Sequence, residues 1–105
     1  MRAYIDSDVL IWHLRGERKA KELLVHLREQ ERYDLYTGAM QRAEIVFFMR
    51  IEEEKATELF LSQIKTESVD QKIVDVAGEF YRKWNPSYGI DVNDAILAAT
   101  VLQTG

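Results

Sequence analysis

The segment DAILAATVL, residues 94–102, decides the fold, because it is apolar apart from Asp94 and Thr100 and predicts a helix packed deep against a sheet. The helix is expected to cover residues 91–103. Asp94 interrupts an apolar stripe of this helix, whose other members are Ile90, Leu97, Ala98 and Val101. A carboxylate on such a stripe needs a partner, so Asp94 is the first candidate site residue.

Upstream of this helix, short apolar runs alternate with longer helical patterns. Strands are predicted at residues 3–5, 33–36 and 66–69. Further helices are expected at 9–15, 17–31, 40–51, 54–63 and 70–84, the last capped by Asp70 and stopped by Asn85-Pro86. Strands separated by helices imply parallel crossovers and therefore an α/β fold, in which ligands bind at the carboxyl ends of the strands.

Glu44 lies on the apolar side of the predicted helix 40–51. The stripe that it interrupts consists of Met40, Ala43, Phe47, Phe48 and Ile51. Burying an unpaired carboxylate costs several kcal/mol, so buried glutamates normally have a partner. An arginine is the ordinary partner, and a metal ion is the functional alternative.

Two further aspartates complete the set of candidates. Asp6 follows the strand at residues 3–5, and Asp91 precedes Asp94 by three residues on the same helix face. Each could instead cap the helix that it precedes, and capping is the favoured role of Asp8.

Asp6, Glu44, Asp91 and Asp94 make chemical sense together if they meet around a divalent cation. The chain has no cysteine and no paired histidines at zinc spacing, so the ligands would all be oxygens, which favours Mg²⁺ or Mn²⁺. Such a cation keeps clustered carboxylates ionised and can activate a water for attack on a phosphodiester.

Composition indicates one globular domain spanning residues 1–105. Its net charge of −4, from 14 Lys+Arg and 18 Asp+Glu, argues against a high-affinity passive nucleic-acid binder. No segment has the length and apolarity of a membrane span or signal peptide, so a soluble, cytoplasmic protein is expected.

Exposed side chains could serve as contacts to partners. Arg42, Arg50, Arg82 and Lys83 could touch phosphates or simply solubilise their helices. Apolar surface for a protein partner is expected at Trp12, Phe47, Phe48 and the stripe of Leu23, Leu24 and Leu27.

The chain resembles the PIN domain family, and most closely its small VapC-type toxins. Three segments carry the resemblance: YIDSDVLIWHLRG at 4–16, GAMQRAEIVFFM at 38–49 and GIDVNDAILAATVLQTG at 89–105. The resemblance implies a three-layer α/β/α fold and a metal-dependent endoribonuclease that cleaves single-stranded RNA. It places Asp6, Glu44 and Asp94 at the family's acidic positions, with Asp91 beside the third, and it implies a homodimer restrained by an antitoxin protein.

The family pattern normally continues beyond the last helix with another strand and a further acidic or polar residue. The strand is therefore expected either to be missing, which would leave one edge of the first strand open, or to lie in a part of the protein outside residues 1–105. Two alternatives to the toxin are an RNA-processing PIN nuclease without an antitoxin and a catalytically silent PIN-like interaction module.

Overall fold

A computed structural model describes residues 1–30 and 32–105 and places three strands and six α-helices in them. The strands are β1 (Arg2–Tyr4), β2 (Asp34–Gly38) and β3 (Lys65–Glu67). The helices are α1 (Ser7–Leu14), α2 (Arg18–Glu29), α3 (Ala39–Val46), α4 (Glu54–Leu61), α5 (Gln71–Tyr88) and α6 (Val92–Thr104), and a 3₁₀ turn (Ile51–Glu53) precedes α4.

The three strands form one parallel sheet in the order β1-β2-β3. Ala3 is opposite Leu35, and Thr37 is opposite Thr66. Two helices connect each strand to the next, as suits the long crossovers that parallel pairing requires, so the predicted α/β class is confirmed. Among the described strands β1 pairs with β2 alone.

The alternation of side chains along the strands supplies both faces of the sheet with apolar groups. On one face Ala3, Ile5 and Leu35 pack into a core with residues of α1, α2, α3 and α4. On the other face Tyr4 contacts Tyr36 and reaches Thr104 at the end of α6. Helices therefore cover both faces, and the predicted three-layer α/β/α architecture is confirmed.

The carboxyl end of β1 is held firmly in place. The Ile5 amide donates to the Tyr36 carbonyl at 2.7 Å, and the buried Thr37 hydroxyl donates to the Ile5 carbonyl at 2.8 Å. Asp6 follows directly, so its backbone position is determined by the sheet.

Helices α5 and α6 pack on each other through a second apolar cluster. Its buried members are Ile73, Ala77, Ala95 and Ala99. Small residues at the contact allow the two helices to approach closely, and Asp70 caps α5 as predicted by accepting from the Ile73 amide at 2.9 Å.

The apolar stripe predicted for α3 is wrong. The helix ends at Val46 rather than at residue 51, and its buried residues are Gln41 and Ile45. Phe47, Phe48 and Ile51 are 77%, 82% and 89% exposed. Residues 39–51 carry apolar groups in more directions than one helix face can bury, so the sequence pattern alone selected the wrong side.

The buried face predicted for α6 is also wrong. Ala95, Ala99 and Thr100 are buried, whereas Asp94, Ala98 and Val101 are exposed. Because most residues of this helix are apolar, two different stripes satisfy helical spacing, and the packing against α5 selects the one made of smaller residues.

The end predicted for α5 is wrong as well, because the helix continues through Pro86 to Tyr88. A proline in the last turn removes only one amide donor, and the helix ends instead at Gly89. Gly89 has a φ of +63°, and its amide donates to the Asn85 carbonyl at 2.9 Å. The left-handed conformation suits glycine, which has no Cβ to clash.

The other predicted boundaries agree with the structure to within about three residues, although Leu24, expected at the surface, is buried. The predicted helix 17–31 ends in α2 at Glu29, and residue 31 lies outside the described residues. Among the described helices, none is both long and apolar enough to cross a lipid bilayer.

Candidate active site

Ser7 joins two of the candidate carboxylates at the start of α1. Its amide donates to Asp6 Oδ1 at 2.7 Å, so Asp6 caps the helix, and its hydroxyl donates to Glu44 Oε2 at 2.8 Å. Ser7 is only 4% exposed, and burial keeps its hydroxyl from exchanging this partner for water. The end of β1 and helix α3 therefore meet at one serine.

Asn93 connects the same glutamate to α6. Its side-chain amide donates to Glu44 Oε1 at 2.8 Å, so each oxygen of the half-buried Glu44 accepts one hydrogen bond from a neutral group. A second contact, from the buried Gln41 amide to the Asn93 carbonyl at 3.4 Å, also links α3 to α6. Glu44 is thus oriented by residues from both neighbouring helices.

Ser7 and Asn93, which hold Glu44, were not among the site residues predicted from the sequence. The available signal was their position, since each is a hydrogen-bonding residue directly before or after a candidate aspartate.

Asp91 and Asp94 form a capping box at the start of α6. Asp91 Oδ1 accepts from the Asp94 amide at 2.7 Å, and Asp94 Oδ2 lies 3.4 Å from the Asp91 amide. Both side chains are exposed, which corrects the prediction that Asp94 lies on a buried surface. The capping role considered for Asp91 is confirmed.

The charge of Asp6 affects the pKa of Asp94, so the two residues lie in the same region. Partial burial raises the pKa of Asp94, and the negative charges of Asp91 and Asp6 raise it further, while the Asp91 backbone hydrogen bond opposes the shift. Asp6 acts on Asp94 across the chain, and Ser7 and Asn93, the residues next to them, both donate to Glu44, so the three carboxylates belong to one region, called the acidic cleft below.

The donor types in this cleft suit a hard divalent cation, because all are oxygens. The ion pairs found among the described residues are Arg2–Glu67, Arg18–Glu22 and Arg50–Glu53, so the arginine partner considered for Glu44 is not among them. Within residues 1–30 and 32–105, however, no three acidic or histidine side chains converge as ligands of a single ion. The donor atoms are of the type that a divalent cation binds, but their spacing does not bring three of these side chains to one ion.

Cavities open on both sides of the carboxylates. One, of about 420 Å³, is lined by Glu44 together with Arg15, Arg50 and Phe48. The other, of about 470 Å³, is lined by Asp94 and by aromatic side chains of α5. Glu53 also lines the Glu44 cavity and pairs with Arg50, so this cavity carries charges of both signs, whereas the Asp94 cavity is mostly aromatic and apolar.

The fold and this cleft define an α/β protein with an acidic site at the carboxyl end of its first parallel strand. The PIN domain family model matches residues 3–105. The chain belongs to the PIN domain family.

Two curated relatives come from Mycobacterium tuberculosis. Ribonuclease VapC10 is 32% identical over 97 residues, which cover 91% of this chain and 71% of that protein. Ribonuclease VapC19 is 31% identical over 99 residues, which cover 93% of this chain and 78% of that protein.

A solved structure described as a toxin–antitoxin complex from Klebsiella pneumoniae has the same fold. It superimposes with a TM-score of 0.78 at 22% identity and covers 96% of this chain and 78% of that one. At this level of identity the likeness establishes the fold alone.

Proposed function

We propose that this protein is a VapC-type endoribonuclease that cleaves phosphodiester bonds of single-stranded RNA as the toxin of a toxin–antitoxin pair. The ribonuclease relatives and the family membership support this proposal. The observation that carries it is the clamping of Glu44 by Ser7 and Asn93, since these bonds hold one carboxylate between the strand end at Asp6 and the helix start at Asp94.

In this proposal Asp6, Glu44 and Asp94 hold Mg²⁺ or Mn²⁺, and Asp91 assists them. The bound cation would supply an activated water and neutralise charge on the phosphate. The protein's own contribution is orientation: Ser7 and Asn93 hold Glu44, and Asp91 caps α6 so that Asp94 starts a stable helix. The pKa of Asp94 is raised first by partial burial and then by the charges of Asp91 and Asp6, and this second contribution is expected where carboxylates gather to bind a cation.

The proposed partners are an RNA substrate, an antitoxin and a second copy of this chain, acting in the cytoplasm. The description of the structural neighbour as a toxin–antitoxin complex supports the antitoxin. Exposed Phe47, Phe48 and Ile51 provide apolar surface next to the Glu44 cavity, where a protein partner would bury them and cover the site.

A catalytically silent PIN-like interaction module is the second candidate. The observation that favours it is the spacing of the acids, because among the described residues no three of them converge on one ion. In a silent module Glu44 would be a structural acid that joins three elements.

Cleavage of a mixed single-stranded RNA pool with Mn²⁺, Mg²⁺ or EDTA distinguishes the two candidates. We expect cleavage that depends on the metal and that falls at least about 100-fold in Asp6→Asn, which removes a charge but still caps α1. Asp8→Asn is the matched control, because Asp8 is an exposed acid in the first turn of the same helix.

Binding of Mn²⁺ to Glu44→Gln gives an independent measurement. The amide preserves the shape of the side chain, and the Ser7 hydroxyl can reverse its hydrogen bond, so we expect a folded variant with weakened Mn²⁺ binding. Unchanged Mn²⁺ affinity, together with a folded parent that cuts no RNA, would support the silent module.

A further inference from the structure

The cavity beside Asp94 has an aromatic wall that the proposed chemistry does not use. Phe80, Trp84 and Tyr88 follow one another at intervals of four residues along α5 and line the cavity with Ile90, Asp94 and Ala98. The Trp84 and Tyr88 rings lie 5.6 Å apart at an angle of 48°. The wall is therefore a continuous aromatic stripe that ends at a candidate catalytic carboxylate.

Of this stripe, Phe80 packs against the hydrophobic core between α5 and α6, whereas Trp84 and Tyr88 are exposed. Trp84 is 39% exposed and Tyr88 is 72% exposed, whereas the contact between α5 and α6 is made by Ile73, Ala77 and Ala95. Exposed aromatic side chains that line a concave surface are typical of binding sites rather than of helix packing. The stripe is thus available to a ligand.

The chemistry of the cavity favours a planar, mostly apolar ligand carried on an anionic backbone. Asp94 is the single charged residue in the lining, so the walls offer ring faces instead of ion pairs. The neighbouring Lys83, which is not part of the lining, holds its ammonium over the Trp84 ring at 4.9 Å from the ring centre and supplies a cation for a phosphate. Alternating bases and phosphates in a single strand match this combination.

The shape of the cavity is fixed by the turn between the two helices. The Asn85 side-chain amide donates to the Ile90 carbonyl at 2.8 Å, and Gly89 ends α5 in a left-handed conformation. Trp84 and Tyr88 therefore face Ile90 across a short, hydrogen-bonded turn, which organises the site before a ligand binds.

We infer that this cavity binds an unpaired base of the RNA substrate, stacked on Trp84 and Tyr88, next to the phosphodiester to be cut. The inference rests on the proposed ribonuclease function and adds a subsite to it. A base held there places its neighbouring phosphates between Lys83 and the carboxylates around Asp94. The stripe would then explain a preference for single-stranded RNA, since a paired base cannot stack on the protein.

Fluorescence of Trp84 tests the inference directly. The chain has two tryptophans, so Trp12→Phe leaves Trp84 as the single reporter, and Asp6→Asn prevents turnover. We expect saturable quenching by a short mixed-sequence oligoribonucleotide and none by an abasic strand of the same length and charge. In the same background Tyr88→Ala should weaken binding about 5- to 150-fold, as expected for the loss of one base–aromatic stack, and Tyr88→Phe should restore it.

Tyr81→Ala is the matched control, because Tyr81 belongs to the same helix and lines a different cavity. In the cleaving parent, Tyr88→Ala should raise KM and leave kcat nearly unchanged. If the unmodified protein cleaved RNA but RNA did not quench Trp84, the base site would be overturned and the proposed ribonuclease function would be retained. If the abasic strand quenched Trp84 equally, base stacking would be overturned. If quenching depended on the concentration of the protein and not on that of the RNA, the aromatic stripe would instead bind a second copy of the chain.

Absence of cleavage by the parent would count against the ribonuclease function by itself. The quenching titration would still show whether the cavity binds a base, because it requires binding of RNA and no turnover.

Discussion

Single residues determine how the acidic cleft is built, and Glu44 shows the principle. Its carboxylate reaches Ser7 and Asn93, which lie 37 and 49 residues away in the sequence, at 2.8 Å each. Hydrogen bonds to an ionised acceptor are stronger than neutral ones, so each contact restrains the side chain well. The position of this carboxylate is therefore set by three elements at once.

Asp94 provides a prediction at this scale that needs no metal. Because burial and the charges of Asp91 and Asp6 raise its pKa above the ordinary 3.8, the folded state keeps the proton to higher pH than the unfolded chain does. Stability therefore declines as pH rises from the ordinary value to the raised one, and Asp94→Asn should lack this decline in urea titrations.

Titration of the Asp94 carboxyl by NMR tests the electrostatic link. Asp6→Asn should lower the pKa of Asp94, whereas Asp8→Asn should leave it unchanged. An unaltered pKa in Asp6→Asn would separate the two carboxylates and remove the electrostatic support for a shared cleft.

At the scale of elements, the ends and faces of the helices place the site residues. α6 begins at the Asp91–Asp94 capping box and brings Asn93 to α3, while α5 continues past Pro86 and brings Tyr88 to the aromatic cavity. The helix propensity of the preceding turns and the packing of α5 on α6 outweigh the single hydrogen bond that Pro86 removes.

Pro86→Ala should stabilise the protein by about 1–2 kcal/mol. An internal proline costs a helix ~3 kcal/mol, and the restored amide recovers part of that cost. This gain exceeds the ~1 kcal/mol of stability that is lost because alanine restricts the unfolded chain less than proline does. Gly89→Ala should have the opposite effect, a loss of about 1–2 kcal/mol, because its φ of +63° disfavours a Cβ.

Thermal and urea unfolding measure both changes, with the exposed Ser87→Ala as control. A less stable Pro86→Ala variant would mean that the proline is required to shape the turn before Gly89.

At the scale of the whole molecule, the hydrophobic residues fall into two clusters. One joins the sheet to α1, α2, α3 and α4, and the other lies between α5 and α6. The described contacts of α6 with the rest of the fold run largely through α3 and through Tyr4 with Thr104. We therefore expect the α5–α6 pair to open while the sheet persists. The acidic cleft spans the boundary between these clusters, since Glu44 and Asp94 belong to opposite sides of it.

Ile73→Ala should reveal this division. Ile73 is 3% exposed, so its truncation should lower stability by about 2–5 kcal/mol, whereas Val74→Ala, at a residue 50% exposed, should change little. Amide hydrogen exchange should accelerate more in α6 than in β2. Equal acceleration in both would show that the molecule unfolds as one cooperative unit.

The sequence by itself determined the order of strands and helices, the parallel α/β class, the caps at Asp6, Asp70 and Asp91, and the acids worth examining. These features follow from local periodicity and capping, which neighbouring residues encode. Tertiary structure alone decided which stripe of α3 and α6 is buried, because both helices are apolar on more than one side and packing selects among the stripes. It also decided that Ser7 and Asn93 hold Glu44 and that Trp84 and Tyr88 flank Asp94, since such contacts join residues whose proximity exists only after the chain has folded.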